Sequence, residues 1–251
     1  MRATSRRLED VARGGARSWR THTTRTCNLH SRPSSIRPYT STSRTRPKTA
    51  LFFPGQGVQR VGMIDPWLES FPNTVKPLLE EIDHTLNISP SLTHLISQGT
   101  NAELTATQNA QPAIMATSIL ILRVLEKEFG FDTKNTVDVT LGHSLGEFAA
   151  LVAAGNLQFA SALKMHTSLS AAEPVLWHQS IQYLHQEEKV KRWIGIGPGK
   201  VGRNLVGKEV GMKGVDVKGG GVLALTDPKD LDEFLRALEI TGNAGEEEGD
   251  V

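Results

Sequence analysis

The sequence predicts an α/β layer protein built on a parallel sheet, and three observations carry that prediction. The apolar run 49–53 stops at Pro54-Gly55, as a buried strand does on entering a glycine-rich turn. A second short strand reads at 137–141, through Val137, Val139, Thr140 and Leu141. Helical stretches fill the interval and follow the second strand, and such alternation buries a sheet between helix layers.

The elements follow in order. Beyond the turn Gly55-Gln56-Gly57, residues 66–86 and 92–98 read as helices, the first interrupted at Pro72 and Pro77. Residues 112–128 read as a strong amphipathic helix. At helical spacing Ile114, Met115, Ile121, Leu122 and Leu125 share one side, with Arg123 and Lys127 opposite. Pro112 suits its first turn. After the second strand, residues 147–154 are helical and stop at Gly155, the usual capping place. Residues 175–186 form a later helix. Gly195-Ile196-Gly197-Pro198-Gly199 is a tight turn between a strand at Trp193 and a helix from Lys200, since its spacing is not that of a dinucleotide loop. Residues 231–238 form a short amphipathic helix.

Composition bounds the function. The chain has 251 residues, of which 38% are hydrophobic and 22% charged, so a real core forms and wholesale disorder is excluded. Its longest apolar runs, such as 148–154, are too short to span a bilayer. A single cysteine, Cys27, excludes a disulfide framework, and no Cys/His spacing suits zinc, so no metal is expected. The net charge of +1 averages two unlike segments. Residues 1–48 carry 12 basic residues against Glu9 and Asp10, a net of +10, and the remainder carries a net of −9. An Arg-, Ser- and Thr-rich, acid-poor start is a mitochondrial presequence composition, and 37–43 reads as a matrix-processing site. The competing reading is a basic tail for nucleic acid or anionic lipid. Cleavage near Tyr39 would leave a net of −6, which disfavours nucleic acid as a partner. The expected organisation is a disordered matrix-targeting segment at 1–48, an α/β domain at 49–240, and an acidic disordered tail at 241–251.

The chemistry concentrates at Gly142-His143-Ser144-Leu145-Gly146, a GxSxG sequence between a strand and a helix. A nucleophile elbow needs that context, because the sharp turn lifts the serine hydroxyl above the sheet. The helix N-terminus then offers N–H groups and a positive dipole end to an oxyanion. Ser144 is therefore the candidate nucleophile. His143, adjacent in sequence, is expected to point elsewhere.

Three stretches resemble the malonyl-CoA:acyl-carrier-protein transacylases, the fungal mitochondrial form in particular. They are Phe53-Pro54-Gly55-Gln56-Gly57-Val58-Gln59, Thr107-Gln108-Asn109-Ala110-Gln111-Pro112-Ala113, and Gly142 onward through Leu151. A weaker fourth match runs from Pro174 to Ile181, with Gly197-Pro198-Gly199-Lys200-Val201 behind it. The resemblance implies a three-layer, hydrolase-like acyltransferase core. It implies ping-pong transfer through a malonyl ester of Ser144, with the backbone N–H groups of Gln56 and Leu145 as oxyanion hole. Gln56, Gln111 and His143 would bind substrate. The implied partners are malonyl-CoA and acyl carrier protein, the latter carrying the phosphopantetheine, with no cofactor. A monomer in the mitochondrial matrix is expected.

The chain also departs from that family. The resemblance implies an arginine for the malonyl carboxylate, yet no Arg occurs between Arg123 and Arg192. It implies a ferredoxin-like subdomain and a histidine base, yet residues 160–164 begin one family helix and Pro174 already resembles the C-terminal part. An internal deletion near 160–174 accounts for this. The remaining histidines, His166, His178 and His185, match no catalytic position, and His178 is a weak candidate base. The net +6 over 189–213 reads as a solvated surface or as a docking patch for acidic carrier protein or CoA phosphates. Two rival functions stand. An α/β-hydrolase esterase would need an acid and then a histidine late in the chain, but no histidine follows His185. The other is a non-catalytic binder of CoA or carrier protein.

Overall fold

The computed structural model describes residues 46–166, 176–212, 214–216 and 220–243. Strand β1 (Thr49–Phe53) opens the fold and is fully buried. Helices α1 (Asp65–Ser70), α2 (Pro72–Leu86), α3 (Leu92–Gln98), α4 (Asn101–Thr105), α5 (Thr107–Phe129) and the short α6 (Thr133–Thr136) lead to β2 (Val139–Gly142). There follow α7 (Gly146–Ala153), α8 (Phe159–His166), α9 (Trp177–Gln186), β3 (Arg192–Ile196), α10 (Val201–Val210), β4 (Val215–Asp216), β5 (Gly220–Leu225) and α11 (Leu231–Asn243). The strands pair in the order β2-β1-β3-β5-β4, parallel except for the two-residue edge strand β4.

Period-two alternation assigns the faces. Leu51, Phe53, Ile194 and Ile196 face one layer, where α2, α5, α7 and α11 build the larger core. Ala50, Phe52, Trp193 and Val222 face the other, against Ile181 and Leu184 of α9 and Val206 and Val210 of α10. The result is the three-layer arrangement expected. Burying each such Phe or Leu contributes about 1.5–3 kcal/mol. Gly195 lies in β3 on the α9–α10 face, and a Cβ there would sit 2.6 Å from the Phe52 ring, so the ring fills the space the glycine leaves.

Several element readings need correction. Pro77 lies inside α2, which runs through it and gives up only one intrahelical bond. Pro112 is likewise interior to α5, which starts at Thr107. That helix is not amphipathic along its length, because residues 112–122 are buried all round. A helix packed between a sheet and other helices has no solvent face to mark. Arg123, expected on a polar face, donates to Glu81 at 2.9 Å and sets its guanidinium 4.9 Å from the Phe159 ring. The last helix runs to Asn243, beyond the boundary read at 240. The presequence, the junction 167–175 and the tail from 244 lie outside the described residues. Only ten residues separate His166 from Trp177, and the described strands form one sheet, with no second subdomain among them. No described helix is long and apolar enough to cross a membrane.

Candidate active site

The site sits where β1 and β2 end side by side. Phe53 registers with Gly142, so the loop after β1 and the turn after β2 leave the sheet together. The turn is sharp: Ser144 has φ 53°, left-handed for a residue with a side chain. Such a conformation costs on the order of 1–3 kcal/mol and persists where the surroundings enforce it. Here they do. His143 N–H donates to Phe53 O at 3.0 Å, Gly146 N–H to His143 O at 3.0 Å, and Glu147 N–H to Ser144 O at 3.0 Å.

Both flanking glycines are sterically required. A Cβ on Gly142 would lie 2.0 Å from Gly146 C and 2.1 Å from Glu147 N. A Cβ on Gly146 would lie 2.6 Å from Phe53 O. The helix α7 thus starts in contact with the backbone of both strands, and its first turn points at the elbow. Leu145 is its N-cap, with no side-chain capping bond. No described residue accepts from the N–H of Leu145 or of Gln56. Such free, oriented donors at a helix start suit a developing oxyanion.

Gly55 brings the β1 loop against this turn. A Cβ there would lie 2.5 Å from His143 Nδ1 and 2.6 Å from His143 O. Gln56, exposed on that loop, is therefore next to the elbow in space. The glycine turn after β3 closes the same corner: a Cβ on Gly197 would lie 2.5 Å from Ser118 Oγ and 2.7 Å from Pro54. Ser144 itself is half-buried. Gln111 is half-buried on α5, which packs against α7.

His143 continues the alternation of β2 onto the α9 face, where its ring lies 5.3 Å from that of Trp177 at 87°. Sequence reasoning did not single out Trp177. Its signal was the weakly matching stretch that begins at Pro174. The other histidines are engaged elsewhere. His178 Nδ1 lies 2.6 Å from Glu209 on α10, and His185 Nδ1 lies 3.3 Å from Val190 O. The side chain of His166 lies outside the described residues. Among the described residues no histidine is hydrogen-bonded to Ser144. An open groove of about 870 Å³ runs beside the N-terminal half of β2 past Asp132, Lys134 and Val139, and contains none of the candidate site residues. The elbow geometry, not that volume, locates the chemistry.

The carboxylates that stay ionised to unusually low pH also lie away from the elbow. At Asp138 burial raises the pKa, but hydrogen bonds from Arg46 and the Thr49 N–H, with the charges of Arg46 and Lys48, outweigh it and lower it overall. Hydrogen bonds from Asn135 lower that of Asp132.

The chain is similar to known proteins in sequence and in fold. Residues 51–172 match the acyl transferase domain family. The malonyl CoA-acyl carrier protein transacylase of Bacillus subtilis (strain 168) is 48% identical over 116 residues, 46% of this chain and 34% of that protein. Its namesake in Haemophilus influenzae is 38% identical over 118 residues, 47% of this chain and 36% of that protein. The matched stretch thus spans about a third of the length of these curated relatives. The acyl-carrier-protein S-malonyltransferase of Burkholderia pseudomallei 1710b superposes with a TM-score of 0.63 at 20% identity, covering 75% of this chain and 99% of that one. A malonyl-transacylase in complex with its type II PKS acyl-carrier protein superposes with a TM-score of 0.62 at 19% identity, covering 75% of this chain and 99% of that one. At those identities the two structures establish the fold.

Proposed function

We propose that this chain, whose residues 51–172 match the acyl transferase domain family, carries a malonyl group from CoA to acyl carrier protein through Ser144. The observation that carries the reading is the strained Ser144 turn, with the unengaged N–H groups of Leu145 and Gln56 beside it. Ser144 Oγ attacks the thioester carbonyl, the N–H groups hold the oxyanion, and the C–S bond breaks as the CoA thiol leaves with the hydroxyl proton. The phosphopantetheine thiol then attacks the malonyl ester, and Ser144 regains its proton. Gln56, Gln111 and His143 contribute substrate contacts, and no metal or redox cofactor takes part. The chain works as a monomer in the mitochondrial matrix, addressed there by its basic N-terminal segment.

Incubation with labelled malonyl-CoA should place the adduct on the peptide containing Ser144, and Ser144→Ala should abolish it. An adduct on another serine would refute the assignment. Assay with carrier protein beside a simple ester separates transfer from hydrolysis and from binding alone. A reporter fused to residues 1–48 should reach mitochondria, and a cytosolic reporter would overturn the targeting proposal.

A further inference from the structure

We infer that Trp177 is a positioning residue for the nucleophile: it clamps the His143 ring from the α9 face and thereby holds the strained backbone at Ser144. This rests on Ser144 being the nucleophile. His143 is half-buried and is held by the elbow at its backbone and on the Gly55 side. Its N–H is tied to Phe53 O and its carbonyl to Gly146 N–H, each at 3.0 Å. Its ring and carbonyl lie against Gly55, with no room for even a methyl group between them. On the α9 face its ring meets the Trp177 ring edge-to-face at 5.3 Å. An aromatic pair of this geometry is directional as well as attractive.

Trp177 is in turn seated on the sheet. Its ring meets that of Phe52 at 6.5 Å and 69°, and it packs against the same buried cluster as Val139 and Leu141 of the elbow's own strand. Its indole N–H is buried and finds no acceptor among the described residues. A lost hydrogen bond of that kind is costly, so the residue is held there by its rings and not by its polar atom. Trp177 also lies outside the matched segment 51–172, at the first turn of α9. Residues beyond the matched segment therefore contribute to a site whose nucleophile and oxyanion donors come from within it. Without the clamp the His143 ring is free to swing from Gly55, and the turn that sets the Ser144 hydroxyl loosens. A displacement of about 1 Å at a reacting atom costs up to roughly a hundredfold in rate.

The test uses the full chain and a fluorophosphonate, which reports serine reactivity whatever the natural acyl group. Labelling of Ser144 is followed by mass spectrometry as a maximal rate and a half-saturating concentration. Trp177→Leu, which keeps bulk but no ring, should lower the maximal rate roughly tenfold to a hundredfold with little change in half-saturation. Trp177→Phe, which restores a ring, should recover it to within about threefold of the parent. His143→Ala should match the Leu variant, and combining the two should cost no more than either alone, because both break one clamp. Equal maximal rates for Trp177→Leu, Trp177→Phe and the parent overturn the inference and leave the acyl-transfer reading intact. If Trp177→Leu does not fold, the His143→Ala variant decides, and parent-like labelling overturns the inference. No labelling of Ser144 in the parent overturns both.

Discussion

At Gly142 the structure leaves no space for a side chain. The nearest atoms to a Cβ, at 2.0–2.2 Å, are backbone atoms of Gly146 and Glu147, which cannot move without dislodging α7. Gly142→Ala should therefore destabilise by about 3 kcal/mol or more, or prevent folding, as urea unfolding would measure. Gly57 offers the contrast. No atom lies within 4 Å of its Cβ position, and only its φ of 103° resists a side chain. Gly57→Ala should cost about 1 kcal/mol. A Gly142→Ala protein as stable as the Gly57→Ala one would mean that the elbow is looser than its geometry indicates. The GxSxG residues were legible in the sequence because each glycine there answers a local steric demand. The His143–Trp177 contact was not, because it joins residues 34 positions apart across the junction, and no local pattern encodes it.

Among the elements, β2 depends on an anchor at its entry. Asp138 accepts from Arg46 at 2.6 and 2.9 Å and from the Thr49 N–H at 2.7 Å, tying the start of the strand to the start of β1. Its pKa lies below the ordinary 3.8. A depressed carboxylate stabilises the fold fully above its unfolded value, and that contribution fades as pH falls through the folded one. The pair is about a third exposed, so its worth is about 1 kcal/mol or less. Asp138→Asn should lower stability at pH 7, and the difference should start to shrink near pH 3.8 and vanish only below the lowered folded value. A gap unchanged between pH 7 and pH 3 would assign the effect to something other than the charge. The strands β1 and β2 and the β3 turn were legible as short apolar runs ending at glycines. Strand β5 was not, because Gly220 and Gly221 disguise its start. Nor was the reach of α5, where Pro112 reads as a beginning although the helix absorbs it five residues in.

For the molecule as a whole, the stretch between His166 and Trp177 is the place to test how well the proposed transfer runs. Leu151 on α7, Met165 on α8 and Leu176 before α9 are 38%, 37% and 60% exposed, so the elements around the link present apolar surface to water. The strand β2 that carries the elbow is an outer strand of the sheet, with every residue half-exposed. A site so placed is wetter, and its oxyanion donors act through a higher dielectric. No described histidine is hydrogen-bonded to Ser144, and attack by a hydroxyl that lacks a general base forfeits roughly 10² to 10⁴ in rate, which sets the size of the effect to test. The sequence also offers no arginine between Arg123 and Arg192 to grip a malonyl carboxylate, so malonyl and acetyl thioesters should be poorly distinguished. The comparison that checks this is residues 40–251 beside a version carrying a relative's intervening segment between His166 and Trp177. Transfer to carrier protein from malonyl-CoA and from acetyl-CoA is measured for both. The longer version should be faster by at least about a hundredfold and should favour malonyl. Equal rates and equal selectivity would mean that the short chain supplies a base and a carboxylate partner of its own.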